Sequence, residues 1–349
     1  VAVATVAVVT RSRRRQSRWD PELCRVRLNG RTAIVTGANT GIGYCVAVDL
    51  ARRGARVILA CRSQARGELA ARSVAAESGS PRVLYRQLDL SSLSSVREFV
   101  SRVMSEEERL DILVNNAGVS GLPHQITDDG LEVTYATNHL GPFLLTNLLL
   151  DLLKQGSPSR VVTLSSVQHR QGHLHLPHLT GQQLPQGVAR NVDYNNSKLM
   201  NVLFTRHLAT KLAGTGVSAS AVHPGVVNTE VIRHANWLVR VVFKAIGLFF
   251  LKSPVEGAIP VLYCCLAEEM SDVSGKYLDS DCILREPSRA ARDPIAAERL
   301  WVESVVDAVV EEPSSPGGRR GRGGGRGAAW DGIGNENGGP WDGDVGVGA

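Results

Sequence analysis

Tyr194 and Lys198 stand four positions apart, one turn of a helix, so their side chains share a face. An ammonium beside a phenol favours the phenolate and draws its pKa down from about 10 towards neutral pH. Such a phenol can pass a proton to or from a substrate oxygen while a hydride moves to or from a nicotinamide. The chain has 349 residues and only six Tyr, so the pairing is an uncommon coincidence. An unreactive pair on an exposed helix has the same spacing, and the setting must decide between the two.

A second feature supplies that setting. Gly37, Gly41 and Gly43 punctuate the run Gly37-Ala38-Asn39-Thr40-Gly41-Ile42-Gly43. Glycines permit positive φ and let the backbone approach a ligand with no Cβ in the way. The spacing is G-x-x-x-G-x-G rather than the commoner G-x-G-x-x-G, and a plain tight turn would also use these residues. The placement between an apolar run (32–36) and a helical pattern (about 42–53, closed by Gly54) is where a dinucleotide pyrophosphate sits on a helix N-terminus. About 20 positions on, an acid would hold the ribose hydroxyl of NAD. That position carries Arg62, 19 residues after Gly43. A guanidinium suits a 2′-phosphate through paired charge-assisted hydrogen bonds, which favours NADP(H). A solvated surface arginine is the other reading of Arg62.

The elements that must hold these residues repeat along the chain. β-branched runs at 32–36, 57–60, 83–88, 112–115, 161–165 and 218–223 alternate with helical patterns. Near-continuous apolar strands separated by helices imply a doubly wound parallel sheet covered on both faces, an α/β Rossmann architecture. No shift of composition divides 31–312, which therefore forms one domain. Apolar residues make up 43% and charged residues 21%, so wholesale disorder is excluded. Six cysteines with no C-x-x-C pair exclude a disulfide scaffold, a zinc ribbon and a thioredoxin-type site; Cys264 and Cys265 fit buried helix positions. The net charge of +5 is located in residues 1–30, with seven Arg against Asp20 and Glu22. The domain is neutral, which points away from nucleic acid.

Thr36 with the Gly37–Gly43 run, Asn115-Asn116-Ala117-Gly118, Ser165-Ser166, Tyr194-Asn195-Asn196-Ser197-Lys198 and His223-Pro224-Gly225 follow one another in an order that resembles the short-chain dehydrogenase/reductase superfamily over about 31–305. Ala60-Cys61-Arg62-Ser63, Asn138-His139-Leu140-Gly141-Pro142-Phe143, Gly275-Lys276-Tyr277 and the 28 positions from Ser166 to Tyr194 resemble its retinol dehydrogenase-like branch. The resemblance implies four catalytic residues. Tyr194 is the acid/base, Lys198 lowers its pKa and holds the nicotinamide ribose, Ser166 binds the substrate carbonyl, and Asn138 supports a proton-relay water. It further implies a cofactor site: Gly37, Asn39, Thr40, Gly41, Ile42 and Gly43 at the pyrophosphate, Arg62 and Ser63 at the 2′-phosphate, and Asp89 and Leu90 at the adenine. Asn115, Ala117 and Gly118 would border the adenine ribose, and Pro224, Gly225, Val226, Val227 and Thr229 the carboxamide and phosphates.

The function expected is an NADP(H)-dependent interconversion of a lipophilic carbonyl and its alcohol, the retinal/retinol pair being the substrate suggested by the branch. Steroid or aliphatic aldehyde substrates are alternatives. A catalytically idle, cofactor-binding interaction protein at a membrane is another, though the intact set Asn138, Ser166, Tyr194 and Lys198 argues against it. A homodimer is left open.

His169, His173, His175 and His178 crowd the stretch after Ser166, but no acid or Cys lies among them. A polar loop bordering the site is expected, and no metal. Residues 236–251 are apolar except for Asn236, Arg240 and Lys244, with Arg233, Arg240 and Lys244 on one stripe. This fits a helix on a membrane surface, a lid, or a helix packed on the sheet. Residues 1–30 are expected to be a leader: 1–9 are apolar apart from Thr5 and run into Arg11, Arg13, Arg14, Arg15 and Arg18, which reads as the end of a signal anchor with the domain cytosolic. An artefactual or exported leader is the alternative. Endoplasmic reticulum membrane is the expected location, the cytoplasm the other. Residues 313–349 contain 14 Gly and are expected to be a disordered tail without an RNA role.

Overall fold

The computed structural model describes residues 19–174, 192–227 and 252–309. Eight strands form one sheet in the order β3-β2-β1-β4-β5-β6-β7-β8: β1 Thr32–Thr36, β2 Arg56–Cys61, β3 Val83–Gln87, β4 Ile112–Asn115, β5 Ser159–Leu164, β6 Val217–Val222, β7 Lys276–Leu278 and β8 Leu284–Arg285. The first seven run parallel, as the alternating apolar runs imply. β1 is buried along its whole length and β4 likewise, the signature of a sheet covered on both faces.

The edge departs from the all-parallel expectation. β8 pairs antiparallel to β7 because only a tight turn separates them, closed by Asp279 N–H donating to the Ile283 carbonyl (3.0 Å). Cys282 takes a positive φ of 61° in that turn. A parallel return would need a crossover of a dozen or more residues. A second departure is at the front. Residues 19–30, expected to belong to a leader, pack on the domain: Arg53 donates to the carbonyls of Pro21 (2.7 Å), Cys24 (2.6 Å) and Val26 (3.2 Å). Residues 1–18 lie outside the described residues, as does the stretch from 310 onward.

The helices are α1 Gly41–Arg52, α2 Gln64–Ser78, α3 Leu93–Glu106, α4 Gly141–Leu148, α5 Leu150–Gln155, α6 Val192–Lys211, α7 Pro254–Leu266 and α8 Pro294–Ala308. Ser253 and Glu256 form a capping box on α7, and Asp293 accepts from the first amides of α8, satisfying donors that a helix start leaves orphaned. α6 carries Tyr194 and Lys198 and is buried nearly all round, at Leu199, Met200, Val202, Leu203 and Phe204. One flank lies on the sheet; on the other, Phe204 stacks with Trp301 of α8 at 5.9 Å, and Phe143 meets Trp301 at 5.0 Å. Helical spacing alone gives no sign of this second covering, which holds the reactive helix from both sides.

Strand order reverses direction between β1 and β4. Ligands of open α/β sheets bind outside the carboxyl ends of strands at such a switch point, and the glycine turn follows β1 there.

Candidate active site

The carboxyl ends of β1 and β4 are lashed together by Thr36. Its hydroxyl accepts from the amides of Asn116 and Ala117, both at 3.0 Å, while Asn116 Nδ2 donates to the Thr36 carbonyl at 2.7 Å. Gly37 and Gly41 adopt φ of 64° and 61°. A Cβ on Gly37 would come within 3.0 Å of Ala117 Cα, and one on Gly43 within 2.5 Å of Asn116 Nδ2 and 2.8 Å of the Gly37 carbonyl. Two of these glycines thus serve conformation, and Gly43 serves the close approach of α1 to the turn. Thr40 caps α1 without a side-chain hydrogen bond, so its first amides face the cleft with no side-chain acceptor of their own.

That cleft has a volume of about 420 Å³. Of the expected residues, it brings together Gly37, Asn39, Thr40, Gly41, Ile42, Arg62, Ser63, Asp89, Leu90, Ala117, Gly118, Ser166, Tyr194, Lys198, Pro224, Gly225, Val226 and Val227. Three expected residues stand behind its wall. Asn115 is buried and donates to Thr146 Oγ1 at 2.9 Å; strand alternation turns it away, and Asn116 takes the place facing the cleft. Gly43 lies beneath the turn. Asn138, 1% exposed, sits behind Gly118 in a π-helical turn, Ala136–Leu140. Its side chain donates to the Val119 carbonyl (2.9 Å) and Ser197 Oγ (3.0 Å) and accepts from Val119 N–H (2.7 Å). The amide group thereby fixes the cleft wall to α6. Thr229 lies outside the described residues, as do His175, His178 and 236–251.

At one end of the cleft, Arg62 is mostly exposed, with Nε 4.0 Å from Asp89 Oδ2. Asp89 Oδ1 accepts from the amide and hydroxyl of Ser91 at 3.0 and 2.6 Å. Arg66, in the first turn of α2, lines the same cleft. Sequence reasoning missed Arg66 and Asn116. Its place four residues after Arg62, where the chain enters α2, could have signalled the first, and its own presence in the Asn115–Gly118 run the second.

At the other end, Lys198 Nζ lies 5.4 Å from the Tyr194 ring centroid and donates to the Leu164 carbonyl at 3.1 Å. Ser165 Oγ donates to the Lys198 carbonyl at 2.8 Å, tying β5 to α6 beside Ser166. The electrostatics correct the expected lowering of Tyr194. Burial pushes its phenol above the usual value, with a hydrogen bond to Ser166 pulling the other way. Burial also draws the Lys198 ammonium down to about 8. Desolvation disfavours both charged forms, and here it outweighs the mutual benefit of the pair. Tyr194 is therefore a protonated phenol at neutral pH, suited to donate.

His169 is fully buried with both ring nitrogens engaged, so it is not placed to ligate a metal. His124, Glu132 and Asp193 each place one donor atom within 4.8 Å of the others; burial beside Glu132 raises Asp193 to about 6. Among the described residues, no helix is long and apolar enough to cross a membrane.

The profile of the family described as short chain dehydrogenase matches residues 31–237. Human "Retinol dehydrogenase 13" is 46% identical over 289 residues, covering 82% of this chain and 86% of that protein. Bovine "Dehydrogenase/reductase SDR family member 13" is 48% identical over 278 residues, covering 79% and 73%. A crystal structure of an uncharacterized protein from Mycobacterium Paratuberculosis superposes with a TM-score of 0.68 at 34% identity, covering 84% of this chain and 99% of that one. With the family match spanning more than half of the chain and relatives 46–48% identical over most of it, the chain belongs to the short-chain dehydrogenase family.

Proposed function

We propose that the protein is an NADP(H)-dependent oxidoreductase that interconverts a lipophilic carbonyl and its alcohol, with retinal/retinol as the substrate pair. One observation carries the reading: a single cleft has a guanidinium pair, Arg62 and Arg66, at one end and Ser166, Tyr194 and Lys198 at the other. The name of the retinol dehydrogenase relatives supports the substrate class.

The residues fit a dinucleotide. The positive-φ glycines leave the turn without a Cβ, and the first amides of α1 suit a pyrophosphate. Arg62, Arg66 and Ser63 would hold the 2′-phosphate, Asp89 and Leu90 the adenine, and Ala117 and Gly118 its ribose. Pro224, Gly225 and Val227 would border the carboxamide, with Lys198 at the nicotinamide ribose. When bound, the nicotinamide supplies or accepts the hydride.

Ser166 and Tyr194 then handle the oxygen. Both hydroxyls donate to the substrate carbonyl, and as negative charge grows there the Tyr194 Oη–H proton passes to it, leaving a phenolate. The Lys198 ammonium beside the ring stabilises that phenolate. In the oxidative direction Tyr194 takes the proton from the alcohol. The raised pKa of the free site keeps Tyr194 protonated, ready to donate when a carbonyl is bound.

The test is NADPH oxidation by the purified protein with all-trans-retinal, steroid ketones and aliphatic aldehydes, alongside Tyr194→Phe. Retinal turnover that falls at least ~10²-fold in the variant is expected. An inert wild type that still binds NADPH would instead favour an interaction role. Placement at the endoplasmic reticulum membrane, with residues 1–18 and 236–251 as contacts, is a further part of the proposal. Flotation of the full chain with anionic vesicles at low salt tests it, and failure to float removes the surface contact.

A further inference from the structure

We propose that His169 is a positioning residue for Ser166, held neutral with its proton on Nδ1 and bridging the Ser166 carbonyl to the amide of Ser288. This rests on the reading of Ser166 as the group that binds the substrate carbonyl.

The geometry permits one tautomer. Nδ1 lies 2.6 Å from the Ser166 carbonyl oxygen, which can only accept, so Nδ1 carries the hydrogen. Nε2 lies 3.1 Å from the Ser288 amide, which can only donate, so Nε2 presents its lone pair. The ring is fully buried and packs against Tyr277 at 4.9 Å. Burial lowers its pKa, in keeping with a neutral ring.

The placement gives this bridge a purpose. Ser166 is the last residue before the turn Val167–Gln171, and its Oγ accepts from Gln168 N–H at 3.2 Å. Its carbonyl accepts twice from His169, from the main-chain amide at 3.0 Å and from the ring. The turn is wedged against α6: a Cβ on Gly172 would meet the Asn195 carbonyl at 2.5 Å, one residue from Tyr194. His169 thus fixes the peptide that carries the Ser166 side chain, and ties it to the segment after β8. Ser166 is a short side chain just past the end of β5, so the direction of its hydroxyl follows the turn that His169 anchors. A hydroxyl misplaced by about 1 Å can cost ~10²-fold in rate.

The full-length protein tests this with NADPH and all-trans-retinal as probes. In the ¹⁵N ring spectrum of the wild type, His169 should be neutral with the proton on Nδ1; the Nε2–H form or a charged ring overturns the proposal whatever the activity. His169→Ala should lower kcat by about 10- to 100-fold, with the NADPH Kd changed less than about threefold. His169→Asn keeps a donor near the Nδ1 position and should recover most of the loss. On a Ser166→Ala background, His169→Ala should add less than about threefold, because the two act as a unit. Equal losses in Asn and Ala variants, or full additivity, overturn the positioning role. A Ser166→Ala enzyme with wild-type turnover removes the reading of Ser166. A slow Ser166→Ala beside a fully active His169→Ala removes His169 alone.

Discussion

Replacing Lys198 with Met should make the protein more stable at neutral pH while abolishing turnover. Lys198 is 4% exposed, and among the described residues no carboxylate pairs with it. Burial draws its ammonium from 10.5 to about 8, which costs the folded state about 3 kcal/mol at pH 7 if charged. Methionine has a similar length without the charge. Its substitution forfeits the hydrogen bond to the Leu164 carbonyl, about 1 kcal/mol, and a ring contact worth about 0.5–1 kcal/mol. The Leu164 carbonyl still accepts from Asn201 Nδ2 at 3.0 Å, so no acceptor is stranded. The net gain is about 1–2 kcal/mol, a rise of roughly 2–6 °C in Tm.

The pH dependence identifies the cause. Between about pH 8 and 10.5, the folded wild type binds fewer protons than its unfolded chain, so its stability rises with pH through that window. The penalty is full below pH 8 and absent above 10.5, so the advantage of Lys198→Met should shrink from pH 7 to pH 10. Urea unfolding followed by circular dichroism at both pH values measures this. A variant less stable than wild type at pH 7, or a difference equal at the two pH values, refutes the desolvation argument. Turnover should fall by at least ~10²-fold, a cost in stability kept for function.

Arg62→Asp should weaken NADPH binding by about 1.5–3 kcal/mol and raise NADH use relative to NADPH; an unchanged kcat/KM ratio would leave discrimination to Arg66. Asp193, raised by burial and by Glu132 to about 6, holds its proton in the folded state at pH values where the unfolded chain has lost it, so stability falls as pH rises from about 4 to 6. Asp193→Asn should therefore stabilise at pH 7 by about 1 kcal/mol, after discounting for partial exposure, and flatten that fall in a pH series of unfolding curves. Gly43→Ala forces a methyl to within 2.5 Å of Asn116 Nδ2 and 2.8 Å of the Gly37 carbonyl, and should cost about 1–3 kcal/mol. Wild-type thermal unfolding with undiminished dinucleotide affinity would show that α1 shifts freely.

Strands β1 to β6, the glycine turn and the Tyr194/Lys198 pair were legible in the sequence because each is a local pattern, whereas the short β7 and β8 carry too few residues to announce themselves. Continuous apolar runs demand a sheet covered twice, glycines mark backbone that a Cβ would forbid, and a spacing of four fixes a helix face. β1 at Thr32–Thr36 and β4 at Ile112–Asn115 coincide with the runs that announce them. What lay outside reach depends on who stands across the gap. Asn115 and Asn116 are adjacent and identical, yet strand alternation buries one against Thr146 and aims the other at the turn. The direction of the Tyr194 shift followed from how much water the sheet and α8 exclude around α6, a quantity that no spacing of four records. His169 is one of several histidines in its stretch, and only the arrival of Ser288, 119 residues later, makes its Nε2 an acceptor and so keeps the ring neutral. Chemical type and local conformation are written residue by residue; solvation and partnership are set by distant segments, so the tertiary structure alone decided them.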